Sequence, residues 1–528
     1  MKTINRLAAA CDVKRPDLSS YKPALFRGDD HAELSRLAEL VEGPQVTAVH
    51  DALASQLTEL AETRSPERKL SREELEAFAQ RELAGRPADE YGVWVYYPWS
   101  RRVVHVLPES EYRELRTSRN RNKITAEEQT VLRGLRLGIV GLSVGQATAV
   151  TLALEEIGGT YLLADFDRLE LSNMNRLRAG VHSIGVNKAL LTAREIYEIN
   201  PYARVEVFSD GIDESNIETF LVGERKLDIL FEECDDLEMK IRLRERAREY
   251  GIPVLMETSD RGMIDVERFD LDRSRPLLHG LVGDVRANSL KGLTTYEKVP
   301  IVLRIIGAET MSGRLAASLL DIETTLKTWP QLASNVTLGG ALNADVARRV
   351  ALGQFTGSGR YYVDLESAIN DSVDGSVRVE AEADAVSGAS PEDVALPQLR
   401  SFAGELTETQ VRDLVKYAIS APSGGNCQPW RFVYRRERFD CYFDRERSKT
   451  YLDFDNTASY LAIGAAVENL CLAARQLGLD TELDTFPSPE HPDLVCSVRL
   501  TRASTNRPAH DDLAAHIGAR VTNRKLGP

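Results

Sequence analysis

Between Gly134 and about Pro253 the chain alternates short apolar runs with longer stretches whose apolar positions recur at helical spacing. The runs LRLGIVGL, TYLLADFD, ARVEVFSD, LDILFEE and IPVLMET read as strands, and the stretches between them as helices. Strand and helix alternation of this kind predicts parallel βαβ units and an α/β fold built on a doubly wound, mostly parallel, Rossmann-like sheet. Ligands of such sheets sit at the carboxyl ends of the strands. Upstream, charged helix-like segments (Ala32 to Leu60, Leu70 to Leu83) lead into a β-rich stretch, Tyr91 to Leu107, and predict a small α+β module. Its aromatic residues, Trp94, Tyr96, Tyr97 and Trp99, read as a core face. Helical patterns and one more strand-like run, Arg360 to Leu365, close the central region.

From Asp371 to Ala395 the pattern dissolves into acidic and small residues without an aromatic, which cannot bury enough apolar surface to order itself and reads as a linker. Beyond it come a helix (Glu408 to Ser420), a turn-rich loop (421–430), a strand starting at Arg431 and a long Ala-rich apolar helix (Ser459 to Leu479). The expected division is therefore an N-terminal α+β module over 1–118, a nucleotide-binding domain over 119–370, a linker over 371–395 and a C-terminal α+β domain over 396–528.

A length of 528 residues agrees with three or four domains at roughly 100–200 residues each. The formal charge of -15 argues against general nucleic-acid binding, which needs a basic face. Six scattered cysteines form no CxxC pair and eight histidines no metal-binding pair, so a zinc site is not expected and a reducing, cytoplasmic compartment is. No apolar run approaches the ~18–20 residues that span a bilayer, so no membrane association is expected.

The densest chemistry begins where LGIV runs into Gly141-Leu142-Ser143-Val144-Gly145 and a helical pattern follows. Glycines at a strand-to-helix turn let backbone approach phosphates, and the helix start offers free N–H groups. Asp165 and Asp167 end the next strand about 20 residues on, where an acidic side chain can accept from a ribose. A dinucleotide site would share that much. Asn173, Arg176 and Lys188 after it, with the acidic strand end EECDD at 232–236, suit a triphosphate with Mg²⁺ better.

These motifs, GLSVG at 141–145, DFDxxxxSNxxR at 165–176, GxxK at 185–188 and INP at 199–201, resemble the ThiF/MoeB family of activating enzymes related to ubiquitin-activating enzyme. The resemblance implies ATP-dependent adenylation of a carboxylate, usually the C-terminus of a small protein or peptide. It assigns Asp165 to the ribose, Asn173, Arg176 and Lys188 to the phosphates, and Asp235 to Mg²⁺. Arg121 matches the arginine that in this family reaches into the partner subunit's site, which implies a homodimer. Ser143 replaces a family glycine, the family's CxxC pairs are absent, and Cys234 reads as a packed residue rather than a nucleophile.

APSGGNCQPWRF at 421–432 with the apolar helix at 462–479 resembles the flavin-dependent nitroreductase family. That resemblance implies FMN, with Ser423, Asn426 and Gln428 near the flavin and Arg520 and Arg524 as a basic pair for its phosphate. The segment reads either as a flavin redox module or as a nitroreductase-like fold that has lost its cofactor or is incomplete. The competing readings of the whole chain are an NAD(P)- or FMN-dependent oxidoreductase and a nucleotide-sensing protein without catalysis.

Overall fold

The computed structural model describes residues 17–307, 310–319, 322, 325–369, 406–424, 427–435, 437–448, 453, 456–502 and 513–519. It divides into two compact units: Met1–Ser312 with Pro330–Asn370, and Gly313–Trp329 with Asp371–Pro528. The expected linker over 371–395, together with Asn426, Arg520 and Arg524, lies outside the described residues.

The first unit opens with a four-stranded sheet of β1 (Ala24–Arg27), β2 (Ala48–Asp51), β3 (Val93–Tyr97) and β4 (Arg102–Val106), ordered β1-β3-β4-β2. Helices His31–Glu42, Leu53–Arg64 and Arg72–Leu83 accompany it, the third opened by a capping box in which Ser71 and Glu74 satisfy each other's backbone N–H groups. The aromatic stripe predicted as core divides: Tyr97 is buried, whereas Trp94 stacks on the buried ring of His105 at 3.9 Å.

This small sheet and the central sheet share one compact unit rather than forming separate bodies across residue 118. Tyr97 and Tyr112 donate to the carbonyls of Tyr197 and Ile199, and Tyr202 returns a hydrogen bond to Leu107 O at 2.6 Å. Glu156, 1% exposed, is surrounded by Arg113, Arg116 and Arg133, which draw helices Glu109–Arg116 and Ala126–Arg133 onto the end of helix Gly145–Glu155. A carboxylate buried so deeply is tolerable only with such partners.

The central sheet comprises β5 (Arg136–Val140), β6 (Thr160–Ala164), β7 (Arg204–Phe208), β8 (Ile229–Glu232), β9 (Val254–Thr258), β10 (Met263–Glu267) and β11 (Gly359–Tyr362). Their order is β11-β10-β9-β8-β5-β6-β7. Strands β9 to β7 along that order are parallel, while β10 and β11 add an antiparallel edge. The α/β, doubly wound expectation therefore holds with a mixed edge. All five residues of β5 are buried, because helices cover both faces. On one face helices Gly145–Glu155, Lys188–Ile199 and Ala333–Ala351 enclose Leu137, Ile139, Leu163 and Phe231.

β8 and β10 also carry charge into the interior. Arg244, on helix Leu237–Tyr250, bridges Glu232 and Glu267, while Asp265 accepts from His279 at 3.0 Å and pairs with Arg360 at 2.7 Å. Such groups persist only because each has a counter-charge, and deleting one partner leaves the other uncompensated.

The second unit holds an antiparallel sheet of β12 (Trp430–Arg435), β13 (Arg438–Phe443), β14 (Leu479–Thr485) and β15 (Leu494–Arg502), ordered β12-β13-β15-β14. Helices Glu408–Ile419 and Thr457–Gln476 pack on it through Leu414, Ile463, Ala466, Leu470 and Ala474. By length and composition Thr457–Gln476 is apolar enough to cross a membrane, which corrects the expectation that no segment is; half of it is buried within this unit's core.

The His279–Asp265 pair predicts a pH dependence. Burial alone would lower the His279 pKa, but the Asp265 hydrogen bond and the charges of Asp265 and Glu267 raise it above the ordinary value of 6.5. Its contribution to stability is therefore complete below pH 6.5 and lost as pH rises through the raised value. The urea midpoint of the first unit should fall over that window, and His279→Gln should flatten the fall. An unchanged slope in the variant would contradict the assignment.

Candidate functional site

The site forms where β5, β6 and β8 end side by side. Gly141 leaves β5 with φ +89°, and a Cβ there would lie 2.5 Å from Glu233 O and 2.8 Å from Cys234 N. Glycine is required on both counts: for the left-handed backbone and for the contact with the chain leaving β8. Gly145 opens helix Gly145–Glu155 pressed on β5, with room for a Cβ only 2.8 Å from Ile139. No side chain caps this helix start, which leaves N–H groups and the positive end of the helix dipole to a ligand.

Asp165, 9% exposed, ties the turn to the end of β6. Its Oδ2 accepts from Leu142 N at 2.7 Å and its Oδ1 from Asp167 N at 2.8 Å. Burial raises its pKa against the opposing pull of those N–H groups and of Lys188. Asp165 is thus first a clamp on backbone, with lone pairs left over that can accept from a hydroxyl.

Asn187, missed in the sequence, caps helix Lys188–Ile199 through Oδ1 and turns its amide N–H groups toward the carbonyls of Asp165, Asp167 and Ser209. That cap orients Lys188, whose buried stem brings Nζ to 2.8 Å from Asp167 Oδ2. The side chain of Asp167 is half exposed, so the pair opens at the surface of the site.

Arg176 donates to Ser143 Oγ at 2.8 Å and to Asn175 Oδ1 at 3.0 Å, which places a guanidinium against the glycine turn. Burial lowers its pKa, and the nearby Asp235 carboxylate partly restores it. Ser143, the departure from the family glycine, is therefore the arginine's anchor. Asn173 accepts from Glu170 N at 3.0 Å and shapes its own turn (Leu171–Asn173). Gln146, also missed, is 2% exposed and bonds Arg178 N, Arg178 O and Glu195, fixing the loop that carries Arg176.

Asp235 is exposed on the loop after β8. Burial would raise the Glu232 pKa, but Lys240 and Arg244 hold it down at about 2. Burial, with the neighbouring Glu232 charge, pushes Glu233 up to about 8 even though Asn343 donates to it. The Cys234 thiol is raised well above its ordinary range by burial and by Glu232, to which Sγ donates at 2.9 Å. It is a bonded thiol and a poor nucleophile. A carboxylate exposed at the rim and near Arg176 fits a hydrated Mg²⁺ shared with phosphates.

The turn thus gathers Gly141, Gly145, Asp165, Asp167, Lys188, Arg176 and Asp235. Arg121 stands apart, exposed on the turn that follows Ser118–Asn120. In the second unit Ser423 Oγ accepts from Gln428 N at 2.9 Å, with Gln428 at φ +47°, so these two residues close a loop ahead of β12.

An uncharacterized protein of Mycobacterium tuberculosis is 41% identical over 416 residues, 78% of this chain and 53% of that protein. Ubiquitin-like modifier-activating enzyme 5 of Branchiostoma floridae is 31% identical over 130 residues, 23% of this chain and 32% of that one. The chain therefore spans about half the length of the first relative and about a third of the second. Among solved structures, the E. coli tRNA N6-threonylcarbamoyladenosine dehydratase aligns at 18% identity over 46% of this chain and 95% of its own, with a TM-score of 0.33. The sequence model of the ThiF family matches residues 117–322.

Proposed function

We propose that the first unit adenylates a carboxylate with ATP and Mg²⁺, the substrate being the C-terminus of a small protein or peptide. The observation that carries this reading is the set of two cations, Lys188 and Arg176, and one free carboxylate, Asp235, around an uncapped helix start. The ThiF-family match and the activating-enzyme relative support it.

In this reading the helix start and Gly141 turn cradle the triphosphate, the remaining lone pairs of Asp165 receive the ribose, and Asp235 would hold Mg²⁺, which neutralises phosphate charge when bound. The substrate carboxylate is already a nucleophile at neutral pH. Its oxygen attacks the α-phosphorus, the bond to the bridging oxygen breaks, and pyrophosphate departs without a general base. Lys188 exchanges Asp167 for phosphate, one anionic partner for another, on the side where Asp167 is half exposed. Arg176, anchored by Ser143, stabilises charge developing on the phosphate oxygens.

The enzyme would act as a cytoplasmic homodimer, with Arg121 completing the partner's site. We assign the second unit to a nitroreductase-like, FMN-binding module that acts on the activated product. Its support is the loop joined by Ser423 and Gln428 ahead of a helix-covered sheet.

ATP–pyrophosphate exchange with candidate peptides tests the first proposal. Lys188→Ala, Arg176→Ala and Asp235→Asn should each lower exchange about 10²- to 10³-fold with unfolding midpoints unchanged. Mixing Arg121→Ala with Lys188→Ala chains should restore part of it. Hydride transfer from NAD(P)H in place of exchange would favour the oxidoreductase alternative. For the second unit, purified protein should absorb near 450 nm and release that absorbance on denaturation; colourless protein that takes up no added FMN would refute the flavin assignment.

A further inference from the structure

Behind the nucleotide turn, helix Ala333–Ala351 lies along the end of β9, and several oxygens in that seam have no hydrogen-bond partner. They are Glu257 Oε1 and Oε2, Asn343 Oδ1 and Ser259 Oγ. Glu257 is 4% exposed and Asn343 fully buried. Leaving such acceptors bare costs about 1–3 kcal/mol apiece.

The register of helix against strand brings these atoms together. Asn335, Gly339 and Asn343 are spaced four apart and so share one helix face. Asn335 donates to Ser259 O at 2.8 Å. The Glu257 carboxyl lies against Gly339, where an added Cβ would be 2.2 Å from its Cδ. Asn343, one turn on, leans back over Gly339 because helical side chains tilt toward the N-terminus. Its Nδ2 donates to Thr148 Oγ1 at 3.0 Å and to Glu233 Oε1 at 2.8 Å, which leaves Oδ1 at the seam.

Glu233 lies beside this set, its carboxylate accepting from Glu257 N at 3.1 Å. The groups facing the seam from the two helices, Thr148, Gly339 and Asn343, are uncharged. The nearest cations, Lys240 and Arg244, are taken by Glu232. Among the described residues no ion pair includes Glu257 or Glu233. Burial and the Glu233 charge raise the Glu257 pKa well above the ordinary carboxylate range, so this set of acceptors takes up either a proton or another positive guest.

We propose that this seam holds one dehydrated alkali cation, K⁺ or Na⁺, on Glu257 Oε1 and Oε2, Asn343 Oδ1 and Ser259 Oγ. All-oxygen donors mixing carboxylate with neutral amide and hydroxyl are hard-cation chemistry. The single charge that the Glu257 carboxylate can supply matches a monovalent guest and leaves Ca²⁺ or Mg²⁺ undercompensated. The cation would fix Glu257 and, through its backbone N–H, Glu233, whose carbonyl packs on Gly141. It would thereby stiffen the nucleotide turn from behind.

The test is thermal unfolding of the full chain without nucleotide, at constant ionic strength, in choline, Li⁺, Na⁺ or K⁺ chloride, with Mg²⁺ and Ca²⁺ as controls. K⁺ or Na⁺ should raise the first unit's midpoint by about 3–6 °C over choline. Glu257→Gln should abolish that shift while keeping the wild-type midpoint in choline, where burial and the Glu233 charge favour the neutral Glu257 carboxyl. Ser259→Ala, the gentler change, should weaken it. Equal midpoints in every salt, a shift that both variants retain, or stabilisation by Ca²⁺ or Mg²⁺ alone would overturn the proposal. Because no nucleotide is present, failure of ATP to bind would count against the adenylation reading and leave this one standing.

Discussion

The close approach of Gly141 to the chain leaving β8 is the constraint on which the site depends. Strand β5 sits between β6 and β8, so the turn after it is where the acidic ends of both neighbours can meet one helix start. They meet because nothing larger than hydrogen stands at position 141, where a methyl group would run into Glu233 O at 2.5 Å. On one side Asp165 draws the turn onto β6, and on the other the loop with Asp235 is held within range of Arg176. Charge is thereby concentrated at the rim of a well-packed sheet and not within it.

Around that turn the protein separates groups that must stay fixed from groups that must stay available. Asp165, Asn187, Gln146 and Glu232 are buried and spend their hydrogen bonds on backbone or on counter-charges. Lys188 and Arg176 are held by contacts that phosphate oxygens can replace, and Asp235 is exposed. Preorganisation of this kind favours charge stabilisation over acid–base chemistry, which suits a reaction whose nucleophile arrives already ionised.

How much of this could be read from sequence follows from how local each signal is. The βα alternation, the glycine turn, Asp165 and Asp167 at one strand end and Lys188 at a helix start are all short-range features, and the structure brings them together. Asn187 was legible as a cap one residue before Lys188 but drew no notice beside it. Asn343 and Glu257 were not legible, since their meaning comes from partners 110 and 24 residues away. Asp165 carries a double meaning: its position reads as a ribose ligand, whereas its geometry is also that of a backbone clamp. The boundary expected near residue 118 looked plausible because the small sheet has its own strands; tyrosine hydroxyls and the arginines around Glu156 bind it to the central sheet.

The most direct test of the central claim is calorimetric titration of the full chain with ATP, with and without Mg²⁺. The geometry predicts saturable binding that tightens with Mg²⁺ in the wild type, binding that no longer responds to Mg²⁺ in Asp235→Asn, and markedly weaker binding in Lys188→Ala. Absence of ATP binding by the folded wild type, or saturation by NAD(P)H in its place, would contradict it.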